Sequence, residues 1–351
     1  MDARFVVIGS KPQPIPAVAA ALAAGGERWR YVRSSPAARR GWALDQLPYA
    51  RLLRRERVSL FHSPYLFVPV LAPCPTVVTV HDLIWELFPE YSGDGSSGAW
   101  QLHRWAARRK AARLIAVSEA TAADVARCWG VGADRVSVVP DGTAFGAAAF
   151  SNAPEPPAPS LRELLAPGPV IATPFNLQPH KNLAVLLEAF VALQERHPGL
   201  RLALFGRAGW KEEAEAAFER RLAAFPFRHL VIRTGLLDDG ELAWLYRRAE
   251  VCVFPSLYEG FGLPTLEAMA VGACVVGHDA SATKEVVGDA GVLVETRRPA
   301  ALAGAIAGLV ADPARREALG TRARERARLF TIERMAEATW QVYRDVLALP
   351  S

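Results

Sequence analysis

The run Val251–Gly272, VCVFPSLYEGFGLPTLEAMAVG, holds the residue types best suited to chemistry. It reads as a buried strand, a glycine turn and a helix. Gly260 and Gly262 let the backbone approach a ligand closely, Pro264 suits the first helical position, and Gly272 can close the helix. The free N–H groups of Phe261, Gly262 and Leu263 and the positive end of the helix dipole then form a phosphate site. Glu259 in the loop and Glu267 in the first helical turn face the same end. One can accept hydrogen bonds from hydroxyls beside the phosphate, the other from hydroxyls farther along the ligand. A glycine turn alone is weak evidence, and Glu267 alone can simply complement the dipole. Both acids at this spacing beside such a turn point to a ligand.

The elements that must position these groups follow from the hydropathy pattern. Short β-branched runs alternate with amphipathic stretches, as in βα units around buried parallel sheets. Strands are expected at Phe5–Ile8, Ser59–Phe61, Thr76–Val80, Leu114–Val117, Val136–Val139, Val170–Ala172, Leu202–Phe205, Leu230–Ile232, Val251–Phe254, Cys274–Val276 and Val292–Val294. Thr121 and Asp124 form a capping-box pattern, Gly130 a carboxyl stop, and Asn182, Asp238 and Asp239 helix caps. Polar or small residues follow nearly every strand, and ligands of open α/β sheets bind at that edge. The expected site is a cleft between two such edges.

The chain has 351 residues, more than one core usually organises, so two domains of about 150 residues each are expected. We place them at residues 1–150 and 169–330, with SNAPEPPAPS opening a Pro-rich linker over residues 151–168 and a final helical segment over residues 331–351. A 51% hydrophobic and 22% charged composition excludes an intrinsically disordered chain. No stretch reaches the roughly 18 apolar residues of a membrane span, and Cys74, Cys128, Cys252 and Cys274 are too dispersed for a disulfide framework. A cytoplasmic protein with buried free thiols is the resulting expectation. The net charge is +5, with nine arginines against three acids between Glu27 and Arg57 and five bases between Gln101 and Arg113. Such a patch suits an anionic lipid surface or a phosphorylated substrate as well as it suits bulk solvent. Nucleic acid is not expected, since no basic-aromatic motif accompanies it.

The run Val251–Gly272 resembles the signature of family 4 retaining glycosyltransferases, the group 1 nucleotide-sugar transferases. Glu259 and Glu267 match their paired acids. VVTVHDLIWELFPEYSG, AVSEATAADV, RVSVVPDG, RLALFGRAGW, RTGLLDDGELAWLYRRAEVCVFPS and KEVVGDAG are similar to family segments and stand in the family's order. The resemblance implies the GT-B fold, an α/β architecture of two Rossmann-like doubly wound parallel-sheet domains facing across a cleft. It implies that Glu267 holds the ribose hydroxyls, that Glu259 holds the transferred sugar, and that His81 lies near the sugar's hydroxymethyl group and reacting carbon. On its residues alone, His81-Asp82 is equally a structural pair. Lys181 in QPHKN matches the family's phosphate lysine, and a departing diphosphate does need a preorganised positive charge. Phe261, Gly262, Leu263, Asn176, Gly235 and Leu236 complete the implied donor site, with Gly235 and Leu236 near the base.

Two departures stand out. Where many relatives carry Arg-Lys-Asn, and some a further arginine earlier, this chain has His180 and Asn176. His180, Arg207 or backbone amides would have to compensate. The opening FVVIGSKPQPIPAVAAAL lacks a G-x-G turn, so either an initial βα unit is missing or the acceptor side is rebuilt.

The expected activity is transfer of a sugar, mannose being mildly favoured, from a GDP- or UDP-sugar to a hydroxyl of a glycan or lipid-linked glycan. Retention of configuration, no cofactor and no metal are expected, since no DxD run stands at a strand end. Peripheral association with an anionic membrane at the inner face is the expected further partner. The rival readings are a GT-B epimerase or phosphorylase and a pseudoenzyme that binds a nucleotide or partner without transfer. Ile332, Met335, Ala336, Thr339, Val342, Tyr343 and Val346 recur at helical spacing, so one face of the last helix should be buried, joining both domains.

Overall fold

The computed structural model describes residues 4–9, 13–14, 16–33, 46–88, 98–144, 159–165, 168–209 and 212–348. The chain divides into two units: Met1–Ala116 with Ala122–Val138 and Ala338–Ser351, and Val117–Thr121 with Val139–Glu337.

The first unit opens with β1 (Phe5–Gly9), α1 (Pro16–Gly25) and β2 (Trp29–Arg33). β1 and β2 pair in parallel as a sheet of their own, with α1 between them in the chain. The sequence named no strand at β2, whose W-R-Y-V-R alternation carries too few apolar residues to stand out. α2 (Gln46–Arg55) leads to β3 (Phe61–Ser63), β4 (Thr76–Val80), α3 (Ile84–Leu87), α4 (Gly98–Lys110), β5 (Arg113–Ala116), α5 (Glu119–Trp129) and β6 (Val136–Val138). Strands β3 to β6 form a parallel sheet in sequential order. Val78, Val80, Leu114, Val125 and Trp129 pack as its core. The capping box expected from Thr121 and Asp124 does not form: α5 starts at Glu119, and the Ser118 hydroxyl accepts the Thr121 N–H at 3.0 Å. Asp124 instead pairs with Arg127 at 2.6 Å.

The second unit carries α6 (Pro159–Leu165), β7 (Val170–Pro174), α7 (Leu183–Arg196), β8 (Arg201–Phe205), α8 (Glu212–Ala223), β9 (Val231–Gly235) and α9 (Asp239–Arg248). β10 (Val251–Phe254), α10 (Leu263–Ala270), β11 (Val275–His278), α11 (Ser281–Val287), β12 (Val292–Val294), α12 (Pro299–Val310) and α13 (Pro313–Ala327) complete it. Its six strands are all parallel in the order β12-β11-β10-β7-β8-β9. Side chains alternate strictly between the two faces. Val170, Ala172, Cys252 and Phe254 enter one core, and Ile171, Val251, Val253 and Val276 the other. Helices cover both faces, which explains the near-continuous apolar strands. Asp238 forms a capping box with Glu241, worth about 1 kcal/mol to α9.

Most of the expected linker Ser151–Ser160 lies outside the described residues; its last two begin α6. Cys252 and Cys274 are buried free thiols, but Cys74 and Cys128 are only half-buried. The last helix, α14 (Ile332–Ala348), buries Val342 and Val346, whereas Ile332 and Ala336 are exposed, so only its second half has a buried apolar face. Among the described residues no helix is long and apolar enough to cross a membrane.

Candidate functional site

The second unit's sheet reverses its winding between β7 and β10. At such a switch point the loops leaving neighbouring strands turn to opposite faces and open a crevice. The loop after β7 carries Asn176, His180 and Lys181, and the loop after β10 carries Glu259 and the glycine turn.

Gly262 caps α10 at φ +98°. An added Cβ would have ordinary room there, since its nearest neighbour would be Thr265 Oγ1 at 3.7 Å. The requirement for glycine is thus conformational. Pro264 is the second residue of α10 rather than the first, and Glu267 stands in its second turn, not the first as the sequence suggested. Residues Val117–Thr121 belong to this unit and hold the turn, with Ser118 Oγ and Thr121 Oγ1 donating to the Gly260 carbonyl at 2.6 and 3.1 Å. Pro264 has no N–H and the Thr265 N–H donates to the Gly262 carbonyl at 3.0 Å, so the amides suited to an anion are those of the turn itself, Phe261, Gly262 and Leu263.

Lys181 and Glu259, 78 residues apart, meet directly. Lys181 Nζ donates to Oε1 at 2.7 Å and to Oε2 at 3.0 Å of the same carboxylate. Both side chains keep some exposure, 24% and 18%, so a ligand can reach them. His180 is 1% exposed, and its carbonyl accepts the Leu257 N–H at 2.7 Å, which ties the two loops together. Burial, and then the Lys181 ammonium, push its imidazole down to about 4. His180 is therefore neutral at pH 7 and adds no cationic charge beside Lys181.

Burial also pushes Glu267 up to about 7, helped by repulsion from Asp239 at the start of α9. The buried Tyr246 hydroxyl is raised well above its ordinary range by burial, then by Glu267. A carboxylate held this way lacks the solvation of bulk water and favours hydroxyl donors that replace it. The sequence read Asp239 only as a cap. Its effect on Glu267 depends on α9 lying beside α10, which no local signal carries.

Of the other expected donor residues, Asn176 accepts the Gln178 N–H through Oδ1 at 2.9 Å, and Gly235 (φ +74°) accepts the Gly206 N–H at 2.7 Å. Leu236 is exposed at 61%, Arg207 and Leu263 are exposed, and Phe261 is buried against Phe330. The cap expected of Asn182 is not made by its side chain. Its amide faces two carbonyls instead.

His81 belongs to the first unit, at the carboxyl end of β4. Its Nε2 lies 2.8 Å from the Pro64 carbonyl, which can only accept, so Nε2 carries the hydrogen. Tyr65, the exposed ring beside it, lies 5.5 Å away between centroids. His62 sits in the same unit, its Nδ1 2.5 Å from Tyr343 Oη and its Nε2 2.8 Å from Thr79 Oγ1.

The family pattern described as "Glycosyl transferases group 1" matches residues 165–326, and that described as "Glycosyltransferase Family 4" matches residues 4–144. The chain is 29% identical over 298 residues to O-antigen chain mannosyltransferase B of Escherichia coli, covering 83% of this chain and 76% of that protein. It is 30% identical over 241 residues to the serotype-specific mannosyltransferase WbdA of Escherichia coli, covering 66% of this chain but only 29% of that one. The MMP alpha-(1->4)-mannosyltransferase of Mycolicibacterium hassiacum is 32% identical, over 68% of this chain and 56% of its own length. The chain thus spans well under two thirds of the last two relatives. Among solved structures, HepE of Anabaena in complex with UDP has a TM-score of 0.72 at 20% identity, over 98% of this chain and 92% of that one. Sucrose-phosphate synthase of Thermosynechococcus elongatus has a TM-score of 0.70 at 24% identity, over 92% and 84%. The parallel sheets of both units and these likenesses give the GT-B fold. With both halves matched by its patterns, the chain belongs to the group 1, family 4 glycosyltransferases.

Proposed function

We propose that the protein transfers a hexosyl group, mannose being favoured, from a nucleoside diphosphate sugar to a glycan hydroxyl with retention of configuration. The observation that carries this reading is the Lys181–Glu259 pair beside the Gly260–Gly262 turn, with Glu267 in the second turn of α10. Lys181 and the amides of the turn, Phe261, Gly262 and Leu263, neutralise the diphosphate as the bond from its oxygen to the anomeric carbon breaks. Glu259, freed from Lys181 by the diphosphate, accepts hydroxyls of the transferred sugar, and Glu267 accepts the ribose hydroxyls. The acceptor oxygen bonds the anomeric carbon on the face the diphosphate leaves, and its proton passes to the departing phosphate oxygen. His81 serves the sugar's hydroxymethyl group. Asn176 and the backbone at Gly235 and Leu236 border the nucleoside, and Arg207, exposed on the loop after β8, supports the diphosphate.

The mannose preference rests on relatives named as mannosyltransferases, and the nucleotide donor on HepE, whose structures hold UDP and UDP-glucose. The exposed arginines Arg51, Arg54 and Arg55 of α2 and Arg109 of α4 suit an anionic acceptor or leaflet, consistent with a cytoplasmic enzyme acting at the inner membrane face on a lipid-linked glycan. A thermal-shift panel of UDP, GDP and ADP, followed by anomeric analysis of the product by NMR, tests the reading. The correct nucleotide at 100 times its dissociation constant should add about 2.7 kcal/mol of stability. Failure of every nucleotide to stabilise the protein, or an inverted product, would refute it.

A further inference from the structure

Three non-glycine residues among those described adopt left-handed backbone: Arg57, Asn182 and Ser281. Such conformations are uncommon for non-glycine residues and are retained when the surroundings over-determine them. Two of the three surround the Lys181–Glu259 pair. Asn182 (φ +57°) follows Lys181 directly, and the Ser281 hydroxyl (φ +52°) accepts the Glu259 N–H at 3.2 Å.

Asn182 is 8% exposed and does not cap the helix it precedes. Its Nδ2 donates to the Thr296 carbonyl at 3.0 Å and the Pro255 carbonyl at 3.3 Å. Thr296, fully buried just beyond β12, donates its hydroxyl to the same Pro255 carbonyl at 2.8 Å. The amide of Thr296 reaches Nδ1 of the buried His278 at 3.3 Å, and its hydroxyl lies 3.1 Å from that nitrogen. Three loops, those leaving β7, β10 and β12, therefore converge on one main-chain oxygen. That oxygen opens the segment Pro255–Glu259, which is held again at Leu257 by the His180 carbonyl and at Glu259 by Ser281. A buried amide with both protons on carbonyls and a buried hydroxyl on a carbonyl are costly to leave unmade, so the network fixes a geometry rather than merely filling space.

We propose that Asn182, Thr296 and Ser281 are positioning residues, which set the Lys181 ammonium and the Glu259 carboxylate at the place where the diphosphate and the transferred sugar meet. They touch no reacting atom; they act through the two loops they anchor. The inference rests on the reading of Lys181 and Glu259 given above.

Asn182→Gly tests it cleanly. Glycine accepts φ +57° without strain, so this variant removes the amide while keeping the backbone. Thr296→Val removes the hydroxyl at nearly constant volume, and Thr296→Ser restores it. We expect Asn182→Gly and Thr296→Val to lower kcat by about tenfold to a hundredfold, the scale of a misplacement of about 1 Å at a reacting group. Acceptor KM should stay within about twofold, because only donor-side groups move. Thr296→Ser should return to near wild type. In a Lys181→Ala background, Asn182→Gly should lose most of its effect, since residues acting as a unit are not additive. Wild-type kcat in both single variants, or a full additional loss from Asn182→Gly in the Lys181→Ala background, would overturn the proposal while leaving Lys181 in its role. If Lys181→Ala itself kept more than half the wild-type kcat, the phosphate assignment would fall, and this inference with it.

Discussion

Glu267 is the residue where stability and ligand binding should pull in opposite directions, and Glu267→Gln exposes the conflict. Burial and the neighbouring Asp239 raise its carboxyl from about 4.5 to about 7. Between these values the folded protein holds more protons than the unfolded chain, so stability falls as pH rises through this window, and the full penalty stands above pH 7. A shift of that size corresponds to about 3 kcal/mol, which partial exposure of Glu267 to solvent reduces to about 1 to 2 kcal/mol. Glutamine keeps the shape without the charge. The variant should therefore melt about 2 to 8 °C above wild type at pH 8, given about 2 to 4 °C per kcal/mol for a unit of this size. At pH 4, below both values, where the carboxyl is largely protonated folded and unfolded alike, the two should melt together. The same variant should bind nucleotide more weakly at pH 8, and the loss of affinity that the wild type shows below pH 7 should be absent. Differential scanning calorimetry at the two pH values, with and without nucleotide, reads both effects. A variant less stable than wild type at pH 8, or a shift equal at both pH values, would show that the charged carboxylate is stabilised by its surroundings and would refute the desolvation argument.

Lys181→Ala should lose about 2 to 4 kcal/mol of transition-state stabilisation, the scale of one preorganised donor, and Lys181→Arg should regain part of it; steady-state kinetics of both variants decide the matter. Tyr343→Phe removes the hydroxyl 2.5 Å from His62 and should destabilise the first unit by about 1 to 2 kcal/mol, seen as reduced hydrogen-exchange protection of β4. Burial, then His81, push His62 down to about 4, so its contribution to stability is complete above pH 6.5 and is lost as pH falls from 6.5 toward 4. Binding to vesicles of anionic lipid through the exposed arginines of α2 and α4 should collapse as salt rises, given a Debye length of about 8 Å at physiological ionic strength. Absence of sedimentation with such vesicles at low salt would leave a water-borne acceptor as the better account.

The sequence alone determined what local physics encodes. The strands of the second unit were legible because parallel strands covered on both faces must be apolar throughout, as Val251–Phe254 is. The glycine at position 262 was legible because a left-handed turn ahead of a helix selects that residue whatever surrounds it. Asp238 was legible as a helix cap because the N–H it accepts, that of Glu241, lies only three residues on. Only tertiary structure decided the rest. Lys181 and Glu259 became a pair, and Asn182 turned from a cap into an anchor of Pro255 and Thr296, because β7, β10 and β12 bring distant loops to one edge. His180 became neutral and Glu267 a weak acid because burial and charged neighbours move a pKa, and neither is a property of the residue's own stretch of chain. The last helix shows the same division. Its apolar spacing was visible along its length, but only the half that meets a surface, at Val342 and Val346, is buried, since periodicity states which face can be covered and the fold supplies what covers it.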